Sequence, residues 1–246
     1  MSDIQDGDVI KTNGGYCTVV RYISAIKILV EFNDDHKHQK YVTARWLRLG
    51  SIKNPFYPNI FGIGFMGVGS YKVTDEGRTT KSYEVWHNML MRCYDPNIHK
   101  KHPTYSECTV CKEWYNYQVF AEWYNNHKYC RKDYEIDKDL LIQGNKIYSP
   151  ETCLMIPSEI NTLLIDSGAS RGKYPIGVNY HIRDKVYQAR VSINGKSKYL
   201  GYYDCPDKAH EVYLSHRNEY IIEKAKEYRD RIDTKAFDAL IRWSNK

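Results

Sequence analysis

The stretch "YPIGVNYHIRDKVYQARVSINGKSKYLGYYDCPDKAHEVY", residues 174–213, decides the fold of the C-terminal part of the chain. Apolar and polar residues alternate in "PIGVNYHI" and in "VYQARVSI", which is the period of a strand with one buried face. Asn194-Gly195 is a strong hairpin signal, and "KYLGYY" supplies a third strand. Pro206 and Asp207 then open a helix. One face of that helix holds Ala209, Val212, Tyr213, His216 and Tyr220. The sequence therefore predicts a three-stranded sheet covered by one helix.

The same stretch resembles the APETALA/ERF-type DNA-binding domain, which also occurs in phage homing endonucleases. The matching residues are Gly177-Val178, Tyr187, Ala189-Arg190-Val191, Leu200-Gly201, Asp204 and Ala209. The resemblance implies that the three-stranded sheet lies in the major groove of double-stranded DNA, which is wide enough to admit β-strands.

Because side chains alternate along a strand, one face of the predicted sheet meets the helix and the other is polar. The helix side holds Val178, Ala189, Val191 and Leu200, and the polar side holds Asn179, His181, Gln188, Arg190, Ser192 and Tyr199. Arg190 suits guanine, and Gln188 or Asn179 suits adenine. The cations expected near phosphates are Arg183, Lys185, Lys196 and Lys198. A solvated sheet face without a ligand is the alternative.

A second informative stretch, "EIDKDLLIQGNKIYSPETCLMIPSEINTLL" at 135–164, predicts two short strands and a helix around a polar loop. Together with "WHNMLMRCYDPN" and "PTYSECTVCKEWYNYQVFAEWY", it resembles the central region of phage-encoded HNH-family proteins over about 82–164. In that family a strand-end His activates water and a loop Asn orients the His. A helix His or Asn joins an acidic residue in holding one divalent metal.

The resemblance places the acidic-His pair on Asp137-Lys138, the loop on Pro150-Glu151-Thr152 and the helix residue on Asn161. It implies catalytic roles for Asp137, Lys138, Asp139 and Asn161, with Asp137 and Asn161 as ligands of Mg²⁺ or Mn²⁺. Lys138 departs from the pattern, since a protonated lysine accepts no proton without strong desolvation and instead suits a phosphate. The substitute bases in this region are His87, His99, His102 and His127. A surface charge cluster at a strand end is the alternative.

The cysteines suggest a separate metal site. Cys108 and Cys111 form one CxxC pair, and Cys93 and Cys153 are available to complete a four-thiolate structural zinc site, with Cys130 as a further candidate. Packing of Cys93 and Cys153 as small apolar residues is the alternative. The odd number of seven cysteines and the acidic N-terminus without a secretory signal favour reduced thiols over disulfides.

The N-terminal half completes an α+β, multidomain prediction. Alternating runs with turns at Asn13-Gly14-Gly15 and Asn33-Asp34-Asp35 predict a small five-stranded β-barrel of the SH3 or Tudor kind. Helical spacing starts near residue 82, and "DSGASRGK" at 166–173 marks a boundary. The predicted domains are a barrel over 1–55, a linker over 56–81, an HNH-like ββα-metal region over 82–166, and a DNA-binding domain with C-terminal helices over 173–246.

The whole-chain composition permits an anionic partner. The formal charge is +6, and 23 Tyr and 5 Trp accompany 36 Lys and Arg, a mixture that suits nucleic acid. No apolar run approaches the roughly 20 residues of a membrane span, so a cytoplasmic protein is expected, in the host cell if it is phage-encoded. Three hypotheses follow: an HNH-like DNA endonuclease, a non-catalytic DNA-binding protein with a degenerate HNH unit, and an accessory protein whose barrel binds another protein.

Overall fold

The computed structural model describes residues 3–164, 172–193 and 195–244. The chain divides into two compact units, Met1–Asn126 and His127–Lys246. Helices and strands are mixed in both, which confirms the coarse α+β class. The finer predicted domain borders stay predictions, and residues 166–171 of the predicted boundary and Asn194 of the predicted hairpin lie outside the described residues. No helix in the described part of the chain is both long and apolar enough to cross a bilayer.

The first unit begins with an antiparallel sheet in the order β1-β2-β3-β4. Its strands are β1 (Val9–Thr12), β2 (Gly15–Ser24), β3 (Lys27–Phe32) and β4 (Gln39–Val42). In the register, Cys17 of β2 faces Phe32 of β3, and Val19 faces Val30. All four side chains are buried, and they form the centre of the core beneath this sheet.

The prediction of a closed five-stranded barrel is wrong, because the sheet over residues 3–126 has four strands and stays open. In place of a fifth strand, "ARWLR" forms the helix α1 (Ala44–Arg48). The Thr43 hydroxyl accepts the N–H of Trp46, as an N-cap residue does, and the residues that follow have good helix propensity. Leu47 of α1 is buried in the core of the sheet.

The rest of the first unit is built around buried aromatic rings. After the irregular segment 50–73, the elements are β5 (Thr74–Asp75), β6 (Arg78–Thr79), α2 (Lys81–Tyr94), α3 (Pro96–Lys101), β7 (Thr109–Val110) and α4 (Tyr117–Asn126). Trp86 of α2 donates its indole N–H to the carbonyl of Trp114 at 2.7 Å. Phe65 exchanges backbone hydrogen bonds with Tyr115 and Tyr117 at 2.9 Å, so the segment expected as a linker is held against α4.

The second unit opens with the order strand, loop, strand, helix that the sequence predicts. Its elements are β8 (Tyr134–Asp137), β9 (Ile147–Tyr148), β10 (Leu154–Pro157) and α5 (Ser158–Leu164). Strands β8 and β10 pair antiparallel, with Asp137 opposite Leu154 and Tyr134 opposite Pro157. The residues of β10 are buried on both faces, and they anchor the strand end at Asp137.

The C-terminal part is a three-stranded antiparallel sheet with one long helix against it. The sheet runs β11 (Val178–His181), β12 (Val186–Ile193) and β13 (Lys196–Tyr203), and the helices are α6 (Pro206–Glu227) and α7 (Thr234–Ser244). Ala189 and Ala209 are fully buried between sheet and helix. Gly177 has φ +80, and a side chain there would collide with the ring of Tyr213, so a glycine is required for this close packing.

A group of polar contacts joins α5 to the far end of α6. The Glu159 carboxylate of α5 accepts from Tyr220 OH at 3.0 Å and Tyr228 OH at 3.2 Å, and it pairs with Lys224 Nζ at 2.9 Å. The Arg217 guanidinium donates to the Leu163 carbonyl at the C-terminus of α5. The ββα element and the C-terminal sheet therefore share α6 as a common support.

Candidate functional site

The strand-end carboxylate of Asp137 is turned toward the main chain of the loop that follows. Its Oδ1 accepts the N–H groups of Asp139 at 2.9 Å and of Leu140 at 2.5 Å. Burial raises the pKa of Asp137 above its ordinary value and the Asp139 carboxylate raises it further, although the two backbone hydrogen bonds and Lys138 oppose the shift. Asp137 therefore shapes the turn after β8 as well as carrying an acidic group.

Lys138, the residue at the predicted position of the catalytic His, is buried. Its Nζ lies 2.7 Å from both carboxylate oxygens of Asp139 and 2.7 Å from the carbonyl oxygen of Asn145, and it lies 5.7 Å from the centre of the Tyr148 ring. Three acceptor oxygens thus surround the ammonium group. The geometry gives Lys138 the role of a cation that closes the loop.

Asn145 is a site residue that the sequence analysis missed. Its side-chain N–H group donates to the carbonyls of Lys138 at 2.9 Å and of Ile147 at 2.7 Å. It thereby fixes the main chain of the residue at the strand end. Thr152, where the resemblance expects a loop Asn, instead donates its hydroxyl to the same Ile147 carbonyl at 2.7 Å. The only hint in the sequence was an amide residue in a loop that contains a glycine.

Asn161 and Glu135 form the second polar pair of this region. The Asn161 amide on α5 donates to the Glu135 carboxylate on β8 at 2.6 Å. Glu135, which the sequence analysis did not single out, and Asp137 lie two residues apart on one face of β8, about 7 Å between Cα atoms. The structure thus brings Asn161 to Glu135 and directs Asp137 to the loop.

This donor set does not yet form a metal site. The Asn161 amide meets Glu135 through its nitrogen, and the Asp137 Oδ1 is directed at N–H groups. Across residues 3–164, 172–193 and 195–244, no group of three or more His, Cys, Asp or Glu side chains is arranged to hold a metal ion. Mg²⁺ or Mn²⁺ stays a prediction, and no catalytic step through a metal follows from this geometry.

The predicted zinc ligands and substitute bases are spread over both units. Cys93, Cys108 and Cys111 belong to the first unit and Cys153 to the second, and all except the half-buried Cys111 are buried. The Cys108 thiol donates to the Thr104 carbonyl at 3.8 Å. Structural zinc therefore also stays a prediction.

The histidines that were considered as bases are divided in the same way. His87, His99 and His102 lie in the first unit, where His99 Nε2 bonds the Arg92 carbonyl at 3.0 Å. His127 lies in the second unit, and burial lowers its pKa.

The polar face of the C-terminal sheet is centred on Arg190 of β12. Its Nε donates to Gln188 Oε1 at 2.8 Å and its Nη1 to Ser197 Oγ at 3.4 Å, so an exposed guanidinium is held in place by neighbours on the same face. Asn179 of β11 lies directly opposite Gln188 in the register. The structure thus brings together three of the side chains predicted to contact bases.

A β-bulge adds a second tyrosine to this face. The register of β12 with β13 shifts between Ala189, opposite Gly201, and Arg190, opposite Tyr199, which leaves Leu200 as the extra residue. Tyr202 then lies opposite Gln188, on the same face as Tyr199. Both rings are nearly half exposed, at 48% and 46%, and their centres lie 5.3 Å apart. The sequence analysis missed Tyr202, although a glycine inside a strand is a known sign of a bulge.

The other predicted contacts surround this centre. Ser192 is exposed on the same face, opposite Ser197. His181 Nδ1 lies 3.2 Å from Asp184 Oδ2, and Arg183 donates to the same carboxylate, which lowers the pKa of Asp184. The exposed cations at the sheet margins are Arg183, Lys185, Lys196 and Lys198. By register, Lys196 and Lys198 share the parity of the helix side, and they lie near the end of the hairpin where β12 connects to β13.

Charge is concentrated on this part of the chain. Between residues 173 and 204 there are six Lys or Arg and only two Asp, so most of the formal charge of +6 comes from this stretch. A positive sheet margin around a polar face is the expected electrostatic footprint for a polyanion.

Comparison of the chain with models of known protein families, with curated proteins and with solved structures found no match. Family membership is therefore not shown.

Proposed function

We propose that this chain binds double-stranded DNA through the polar face of the sheet β11-β12-β13. The observation that carries the proposal is the exposed Arg190, which Gln188 and Ser197 hold at the centre of the middle strand. An arginine fixed in this way loses less side-chain entropy on binding, because part of its freedom is already lost.

The dimensions and chemistry of the face support a major-groove site. A β-ribbon fits the major groove, where an arginine fork pairs with guanine O6 and N7 and an amide pairs with adenine N6 and N7. Gln188 and Asn179 supply such amides on neighbouring strands. The cations at the sheet margins are suited to the phosphates on either side. In this proposal the three strands and α6 form a domain of the APETALA/ERF kind.

Affinity for labelled duplex DNA, measured by fluorescence anisotropy against salt concentration, tests the proposal. Arg190→Ala should weaken specific binding by about 1–3 kcal/mol, roughly 5- to 150-fold, and Arg190→Lys should restore little because a lysine lacks the fork. Arg242→Ala, which removes an exposed arginine from α7, is the matched control and should bind like the wild type. Equal affinities for all three variants would overturn the assignment of this face.

A second candidate function is nicking of duplex DNA by the ββα element, which in this proposal is HNH-like. The observation in its favour is that Glu135 and Asp137 share one face of β8, with Asn161 on the helix that follows. The geometry supports it less than binding, because Lys138 occupies the position of the base as a cation held by three oxygens. In this form of the proposal Mg²⁺ or Mn²⁺ would be the cofactor.

A supercoiled-plasmid nicking assay with Mg²⁺ or Mn²⁺ over a range of pH separates the two candidates. If the chain is a nuclease, the wild type should nick the plasmid, and Asp137→Ala and Asn161→Ala should not. Retention of nicking in both variants would show a contaminating activity. If the plasmid stays intact and the chain binds duplex DNA tightly, only the binding function is supported.

A further inference from the structure

A cavity of about 650 Å³ lies in the first unit, beside the turn between β1 and β2. Its walls come from that turn, from β4, from α1 and from residues 51–59. The sequence analysis used Asn13-Gly14-Gly15 only as a turn signal. The volume lies within the usual range for sites that hold a small ligand or one unit of a polymer.

Two exposed aromatic rings line the cavity, and a backbone hydrogen bond fixes the main chain of each residue. Trp46 is 51% exposed, and its N–H bonds the Thr43 hydroxyl at the start of α1. Tyr57 is 41% exposed, its N–H bonds the Asn54 carbonyl at 3.2 Å, and its ring would lie 3.6 Å from a side-chain atom placed at Gly15. Exposed rings on a fixed main chain are suited to stacking with a flat ligand.

The charged groups of the cavity are cationic. Lys40 and Lys53 both line it, and Lys40 Nζ donates to the Lys53 carbonyl at 3.4 Å. None of the described lining residues is acidic. The Asp34 carboxylate contacts the wall, since its Oδ2 accepts the side-chain amide of Asn54. An anionic ligand is therefore favoured, and a cationic peptide side chain is disfavoured.

The packing behind the cavity shows that its wall is built tightly. Gly14 lies so close to the main chain of Asn54 that any side chain at position 14 would collide with it. Asn54 is buried, and its Oδ1 accepts the N–H of Phe56 at 2.9 Å. Asn13 and Asn59 add amide groups at the rim, which can hydrogen-bond the edges of a base.

We propose that this cavity binds an unpaired nucleotide of a single-stranded nucleic acid. The base stacks on Trp46 or Tyr57, and the phosphate lies at Lys40 and Lys53. A duplex does not fit this arrangement because the faces of its bases are already stacked on one another. The site is separate from the polar face of the C-terminal sheet, and it does not depend on the function proposed for that face.

Fluorescence anisotropy of labelled eight-nucleotide oligo(dT) and oligo(U) with the full chain tests the proposal. Trp46→Ala and Lys40→Gln should each weaken binding at least fivefold, and Trp46→Phe should retain most of it. The matched controls are Tyr41→Ala and Lys27→Gln, which remove an exposed ring and the cation that lies over it elsewhere on the sheet. These controls should stay within twofold of the wild type.

The outcomes distinguish this site from the C-terminal sheet. Oligonucleotide binding that falls with Trp46→Ala and not with Arg190→Ala supports the cavity, whatever the duplex assay shows. Binding that falls only with Arg190→Ala overturns it. If free dTMP competes as well as the unlabelled oligonucleotide, the ligand is a mononucleotide and not a strand. If an eight-residue poly-Glu peptide competes as well, binding is charge attraction alone. Either result also overturns the proposal.

Discussion

Replacing Lys138 by methionine tests the structural role of this lysine. The side chain of Lys138 is 8% exposed, and methionine keeps most of its apolar stem while it removes the ammonium. The ion pair with Asp139 contributes about 0.5–1 kcal/mol, because the carboxylate is 53% exposed and solvent screens it. The charge-assisted bond to the Asn145 carbonyl contributes about 1.5–2 kcal/mol. The loop should therefore lose about 2–3 kcal/mol.

Hydrogen exchange followed by mass spectrometry measures this loss locally, which matters in a chain of two units. Peptides that cover β8 and β10 should exchange about 30- to 150-fold faster in Lys138→Met, and those from β2 and β3 should not change. Lys132→Met, an exposed lysine in the same unit, is the control and should stay within twofold. Unchanged exchange around β8 in Lys138→Met would refute the claim that this cation closes the loop.

Three further substitutions test other contacts. Asp137→Asn keeps the acceptor and removes the charge of a half-buried group. Because partial burial raises the pKa of Asp137 above 3.8, the wild type loses stability as the pH rises through the raised pKa. In urea unfolding, the free energy of unfolding of the variant relative to the wild type should therefore be more favourable at pH 7 than at pH 3. Burial alone would raise the pKa of Glu159, but hydrogen bonds from α6 and its C-cap lower it below 4.5. Glu159→Gln should therefore lower the free energy of unfolding by about 1 kcal/mol at pH 7. This difference should vanish as the pH falls through the lowered pKa. A constant difference across pH would contradict either one. Gly177→Ala should lower the free energy of unfolding by about 2–4 kcal/mol, because the new side chain collides with Tyr213. The control Gly195→Ala also has a positive φ, +71, but lies in open space, so it should lower it by about 1 kcal/mol. Similar thermal shifts for the two variants would contradict the close packing at Gly177.

Local patterns predicted the elements that depend on neighbours in sequence. The alternation in 174–203 predicts three strands, with Val178, Ala189 and Val191 toward the helix, and those side chains are buried. Pro206 begins α6, as its position in the sequence predicts. The barrel prediction failed where two local signals compete, because Thr43 caps a helix in a segment whose alternation also suits a strand.

The missed site residues all depend on contacts that no local pattern specifies. Asn145 finds its partner only when the loop closes on Lys138, seven residues away. Glu135 acquires its role from Asn161, 26 residues away. Tyr202 reaches the polar face because of the bulge beside Gly201, which shifts the register of β12 against β13. Each of these contacts is set by tertiary structure, so composition and spacing leave it open.

Helix α6 also sets the distance between the C-terminal sheet and the ββα element. Tyr213 packs on the sheet at Gly177, and Lys224 contacts Glu159 eleven residues later, which is a rise of about 16 Å along the helix. That length corresponds to about five base pairs, or half a turn of B-form DNA, at roughly 3.4 Å each. If the sheet docks in a major groove, the strand end at Asp137 would act on the DNA at a fixed distance from the base pairs that the sheet contacts. Inserting one helical turn between Tyr213 and Lys224 would change that distance without altering either surface.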